Sequence, residues 1–110
     1  MKLSFSLKII LLVLASSLSS LSFAEVVWID VRSQQEHAAN HIDGDILIVH
    51  TDIVAQTMKL FPDRNTEIHL YCRSGRRAKE AMQALNAVGY TKVSNAGGID
   101  ETRKARGLPH

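Results

Sequence analysis

From Val26 onward, short apolar runs alternate with stretches of helical periodicity, and this alternation constrains the fold more than any other property of the chain. Val26-Val27-Trp28-Ile29 is apolar and rich in β-branched residues, as expected of a strand covered on both faces. Asp30-Val31-Arg32 leads to Ser33 with Glu36 three residues on, a capping-box spacing that predicts a short helix to about Ala39. Ile46-Leu47-Ile48-Val49 predicts a second buried strand, and Thr51 or Asp52 caps a helix that ends near Leu60, before Phe61-Pro62. In a third strand Ile68, Leu70 and Cys72 share one face and His69 and Tyr71 the other. Ala78, Ala81, Met82, Leu85 and Val88 then follow a period of about 3.6 residues. They predict a helix from Arg76 or Arg77 to Val88, stopped by Gly89. Val93 belongs to a last short strand, with Asn95-Ala96-Gly97-Gly98 as the turn after it. Strands alternating with helices imply right-handed crossovers and a parallel sheet. The expected fold is a small three-layer α/β domain with helices on both faces.

Residues 1–24 follow a different rule. Lys2 and Lys8 precede an apolar run from Ile9 to Ala15, and a Ser/Leu stretch ends in Ser22-Phe23-Ala24. A basic start, a short apolar core and a small-residue exit form the layout of a secretory signal peptide, expected to be cleaved after Ala24. The apolar core is shorter than the roughly 18 residues of a spanning helix, and no nearby cysteine offers a lipid attachment point. The expected product is residues 25–110, exported, and periplasmic in a Gram-negative cell. Charge then changes its meaning. The whole chain carries 13 Lys+Arg against 11 Asp+Glu. Losing Lys2 and Lys8 leaves 11 against 11, so no net positive charge argues for nucleic acid or an anionic membrane as a partner. A chain of 110 residues holds one compact domain. Its single cysteine excludes an internal disulfide framework and sulfur-rich metal sites.

That cysteine lies in the most informative stretch. Cys72 ends an apolar strand, Arg73-Ser74-Gly75 makes a tight loop, and a helix begins at once. Ligands in open α/β sheets bind beyond the carboxyl ends of the strands, so Cys72 occupies a position for reactive groups. Loop amides and the helix N-terminus should face the sulfur, and Arg73, Arg76 and Arg77 add positive charge. All three influences favour thiolate and should lower the cysteine pKa. The result is a nucleophile set in a cradle for an anion. A purely structural core cysteine is the competing reading, and the electropositive loop speaks against it.

The Cys72 to Arg77 loop, together with Trp28-Ile29-Asp30-Val31-Arg32, His41-Ile42-Asp43-Gly44 and the segment from Gly89-Tyr90 to Asn95-Ala96-Gly97-Gly98, resembles the single-domain rhodaneses, of the small exported type. The resemblance spans nearly all of residues 26–99. It implies a sulfurtransferase in which Cys72 takes the outer sulfur of a small anionic donor such as thiosulfate, becomes a persulfide, and passes the sulfur to cyanide or a thiol. It implies Cys72 as catalytic residue, Arg73, Ser74, Gly75, Arg76 and Arg77 as substrate-binding residues with Arg73 and Arg77 the first choices to face inward, no cofactor or metal, and a working monomer. Related phosphatases carry a longer Cys-x5-Arg loop. Here the sixth residue after Cys72 is Ala78, and the arginine falls one earlier, at Arg77. The alternatives are a non-catalytic rhodanese-like binding module and, opposed by the short loop, a phosphatase or arsenate reductase.

Other residues carry structural expectations. Asp30 and Arg32 are expected to form a buried ion pair tying the first strand to a neighbouring loop. His37 and His41 are four apart, a spacing open to zinc, but no third ligand completes a site. Asp45 follows Gly44 where most relatives carry a small residue. The tail from Asp100 to His110 lacks the tryptophan that many rhodanese domains carry, and its Arg103, Lys104 and Arg106 are expected as a solvated basic end, the alternative being an extension of the positive field around an anionic substrate.

Overall fold

The structure is a computed structural model that describes residues 25–110, and the expected signal peptide lies outside the described residues. Four parallel strands form one sheet in the order β2-β1-β3-β4. They are β1 (Val26–Asp30), β2 (Ile46–Leu47), β3 (Glu67–Cys72) and β4 (Val93–Gly98), and the helices are α1 (Gln34–Ala39), α2 (Ile53–Leu60), α3 (Arg76–Ala87) and α4 (Ile99–Arg106). The three-layer α/β expectation holds.

Alternation along β3 divides the interior. Ile68, Leu70 and Cys72 point to the face covered by α2 and α3, packing with Ile29, Ala78, Ala81, Leu85 and Tyr90. Tyr71 points to the other face with Ile42 and Ile99, against partly buried Trp28 and Leu108. Apolar residues on one stripe of α3 lie on the sheet, so burial of that stripe stabilises the helix that carries the cysteine loop. Ser33 accepts from the Glu36 amide while the Glu36 carboxylate accepts from the Ser33 amide, the reciprocal cap expected for α1.

Four local expectations are corrected. β1 is not covered throughout: Val26 is 55% exposed. β2 shortens to Ile46–Leu47, paired with β1 at one edge of the sheet, although Ile48 continues alongside through a bond to the Asp30 carbonyl. Neither Thr51 nor Asp52 caps α2 with its side chain. A 3-10 turn over His50–Asp52 leads straight into the helix. Asn95–Gly98 is strand rather than turn, and a register shift opposite Leu70 and Cys72 absorbs its irregularity.

The tail is a fifth correction at Arg103 and Arg106, while Lys104 is exposed as expected. The tail folds as α4, and Arg103 is 5% exposed, donating to the Asn40 side chain at 2.6 Å and the His41 carbonyl at 3.0 Å. Arg106 pairs with Asp45 at 2.7 Å and lies 4.1 Å over the Trp28 ring. These arginines bury because fixed carbonyl and carboxylate partners replace their water, as buried charge requires.

Candidate active site

Cys72 closes β3 and α3 begins at Arg76, so three residues turn the chain. Gly75 makes the turn possible: it is the N-cap of α3 with φ +98°, in the left-handed region that favours glycine. A glycine cap has no side-chain oxygen to accept the free amides of the helix's first turn. The Cys72 sulfur takes that place. Gly75 N–H donates to Sγ at 2.9 Å. Cys72 is 1% exposed, and burial alone would raise its pKa. The amides of Ala78, Ser74, Gly75 and Arg77 turned on the sulfur outweigh burial, and the pKa lies below the ordinary thiol value. This is a buried sulfur whose thiolate form is favoured by backbone dipoles, an arrangement suited to nucleophilic attack on a small partner.

The arginines fall into two groups. Arg73 and Arg76 are exposed at the mouth of the loop. Arg77 is partly buried and makes a two-point pair with Glu36, Nη1 to Oε1 at 2.7 Å and Nη2 to Oε2 at 2.9 Å. That pair lowers the Glu36 carboxyl to a pKa of about 2. Glu36 foremost, and then the adjacent Cys72, favour the charged form of Arg77. Ser74 is exposed and contributes its amide.

Beside the loop, Arg32 grips Asp30 with Nε at 3.0 Å and Nη2 at 2.8 Å, and also donates to the Asn40 carbonyl. The Arg32 amide also donates to Asp30 at 3.0 Å, and His37 adds a fourth contact at 3.0 Å. Asp30 is fully buried; burial favours its neutral form, but the bonds from Arg32 and His37 prevail and its pKa stays low. His37 and His41 stack 4.6 Å apart. Among the described residues no group of three or more His, Cys, Asp or Glu is placed to hold a metal ion.

The sequence reading missed the back wall of the loop. Asn95 Nδ2 donates to the Gly75 carbonyl at 2.8 Å. A Cβ on Gly98 would lie 2.5 Å from the Arg73 carbonyl oxygen, and one on Gly75 would lie 3.3 Å from Gly97 Cα. The end of β4 is thus a template pressed against the cysteine loop. Paired glycines signal close backbone approach as well as a turn, and here Gly98 serves the approach while Gly97, at φ +86°, serves a local turn.

The rhodanese-like domain family matches residues 14–105. The chain is 36% identical over 91 residues to the thiosulfate sulfurtransferase PspE of Escherichia coli strain K12, covering 83% of this chain and 88% of that protein. A rhodanese from E. coli solved with anions superposes with a TM-score of 0.66 at 34% identity, covering 69% of this chain and 89% of that one. The human single-domain sulfurtransferase TSTD1 superposes with a TM-score of 0.58 at 29% identity, covering 83% and 89%. With its cysteine-ended strand, short loop and parallel sheet, the chain belongs to the rhodanese-like domain family as an enzyme of the sulfurtransferase kind.

Proposed function

We propose that the protein moves sulfane sulfur from thiosulfate, or a similar small anionic donor, to cyanide or a thiol through a persulfide on Cys72. The observation that carries this reading is the ring of backbone amides converging on a buried sulfur at the end of β3. The Cys72 thiolate attacks the outer sulfur of thiosulfate. The sulfur–sulfur bond of the donor breaks, sulfite leaves with the bonding pair, and an anionic Cys72 persulfide remains. The acceptor then attacks the outer persulfide sulfur and returns the thiolate, so charge and atoms balance in both halves. Backbone amides suit this cycle because they stabilise the thiolate and the persulfide in turn without supplying a proton to either.

The exposed Arg73 and Arg76 attract the dianionic donor, and Arg77, held by Glu36, adds fixed charge beside the sulfur. Ser74 and Gly75 act through their amides. Asp30 and Arg32 support the strand end from which the site is built. The related thiosulfate sulfurtransferase and the related rhodanese solved with anions support this substrate class. No cofactor or metal enters the cycle. The working form in this proposal is residues 25–110 after removal of a signal peptide, a periplasmic monomer in a Gram-negative cell. Among the described residues no helix is long and apolar enough to cross a membrane.

Mass spectrometry of the protein after thiosulfate treatment tests the proposal. A gain of one sulfur atom on Cys72, absent in Cys72→Ser, is the expected result. An unmodified thiol in folded protein would overturn the proposal in favour of a binding module.

A further inference from the structure

Asn95 sits in β4 opposite Leu70, at the start of the register shift that ends where Cys72 meets Gly98. Its side chain faces two ways. The Oδ1 atom accepts from the Gly97 amide at 2.9 Å, closing a small turn within β4 itself. The Nδ2 atom reaches across to the cysteine loop and donates to the Gly75 carbonyl at 2.8 Å. The same carbonyl accepts from the Lys79 amide at 2.9 Å, the first helical bond of α3. A carbonyl oxygen has two lone pairs and serves both donors.

This carbonyl belongs to the peptide joining Gly75 to Arg76. A peptide is planar and trans, so fixing its oxygen fixes the opposite direction for its N–H. The amides that face the Cys72 sulfur flank this peptide, Ser74 and Gly75 before it and Arg77 and Ala78 after it. Gly75 at φ +98° is the residue of the loop with the widest backbone freedom. The softest link of the amide ring is therefore the one that Asn95 holds from outside.

We propose that Asn95 is a positioning residue for the cysteine loop: by holding the Gly75 carbonyl it keeps the Gly75–Arg76 peptide turned so that the loop amides converge on the Cys72 sulfur. Asn95 does not act on the sulfur itself. Its effect reaches the anion through the peptide plane, and it extends to the transferred outer sulfur, a part that rests on the sulfurtransferase reading above. Asn95 is exposed, so it orients the loop without being part of the buried core.

Two substitutions separate the two ends of the side chain. Asn95→Asp keeps an oxygen for the Gly97 amide but has no donor for Gly75. Asn95→Ala removes both contacts and adds no charge. The measurement is the pH profile of Cys72 alkylation by iodoacetamide, with thermal unfolding followed on the same samples. This readout needs no sulfur donor, so it stands even if the protein fails to accept sulfur from thiosulfate. The expected result is a profile shifted to higher pH in both variants, with alkylation at pH values below the wild-type midpoint reduced roughly threefold to tenfold, as half to one pKa unit implies, while both remain folded. Wild-type profiles in folded variants would overturn the proposal. So would a shift confined to Asn95→Ala, which would assign the effect to the turn within β4, and so would loss of folding in both variants, which would assign Asn95 to the fold.

Discussion

Arg77 and Glu36, 41 residues apart in sequence, meet in a two-point ion pair that joins the first turn of α3 to the cap of α1. One carboxylate thus performs two tasks. It closes the capping box on the Ser33 amide at 3.2 Å, and it holds the arginine that stands beside Cys72.

Substitutions at Glu36 separate those tasks. Glu36→Gln retains an oxygen for the Ser33 amide and loses the charge pair, whereas Glu36→Ala loses both. Because the pair is partly solvated, its loss is expected to cost only about 0.5–1 kcal/mol, and the alanine variant about 1 kcal/mol more for the missing cap. Urea unfolding of the two variants checks the order. Equal stabilities would show that the cap contributes nothing.

The same carboxylate sets an acid dependence. Its folded pKa of about 2 lies below the ordinary 4.5. The stabilisation is therefore complete above pH 4.5 and is lost as pH falls toward 2. Wild-type protein should lose more stability than Glu36→Gln between those limits, measured as the urea midpoint against pH. Parallel curves would contradict the assignment.

At Cys72 the sign is the same and the window is higher. The folded pKa lies below the ordinary thiol value of 9.0, so the thiolate adds stability as pH rises through the folded pKa toward 9.0, and this gain is lost as pH falls. Cys72→Ser is expected to unfold with a flatter pH dependence across that window, and wild-type Cys72 to alkylate with a midpoint below 9.0. A midpoint at or above 9.0 would mean that burial, rather than the amide ring, controls the sulfur.

Gly98 and Gly44 offer a contrast in how glycine is needed. A Cβ at Gly98 strikes the Arg73 backbone oxygen at 2.5 Å, whereas Gly44, with φ +87°, has open space around it. Gly44→Ala should cost about 1–2 kcal/mol from backbone strain alone. Gly98→Ala must displace the cysteine loop, so it should cost more and shift the Cys72 alkylation profile, while Gly44→Ala leaves that profile unchanged. Thermal unfolding and alkylation on the pair check both statements.

Arg106 anchors α4. The side chain of its partner Asp45 is 5% exposed and also accepts from Tyr71 Oη at 2.7 Å. Arg106→Ala leaves that carboxylate short of charge compensation, with an expected loss of about 3 kcal/mol and a change in Trp28 fluorescence as the stacked guanidinium departs. The double variant Asp45→Ala/Arg106→Ala should lose less than the sum of the single variants. Additive losses would mean that the pair is not coupled.

Local rules made much of this architecture legible. The capping box at Ser33 and Glu36, the faces of β3, the stop at Gly89 and a cysteine poised between strand and helix all depend on residues a few positions apart, where backbone geometry is nearly independent of the rest of the molecule. The segment Asn95–Gly98 escaped that reading because Gly98 answers to the Arg73 carbonyl and Asn95 to the Gly75 carbonyl, which lie twenty or more residues away. The basic tail escaped it because Arg103 and Arg106 look solvated until Asn40, His41 and Asp45 are brought to them.

The sequence by itself determined the alternation of strands and helices, the parallel sheet that follows from it, and the single thiol at the end of a strand with arginines around it. Only the tertiary structure decided which arginine is held and by what, that Asn95 reaches the loop, and that the tail is a packed helix. The reason is physical. Periodicity and propensity act along the chain, whereas a charged or amide side chain can pair with any group that the strand order β2-β1-β3-β4 carries to it, and that choice is made in space.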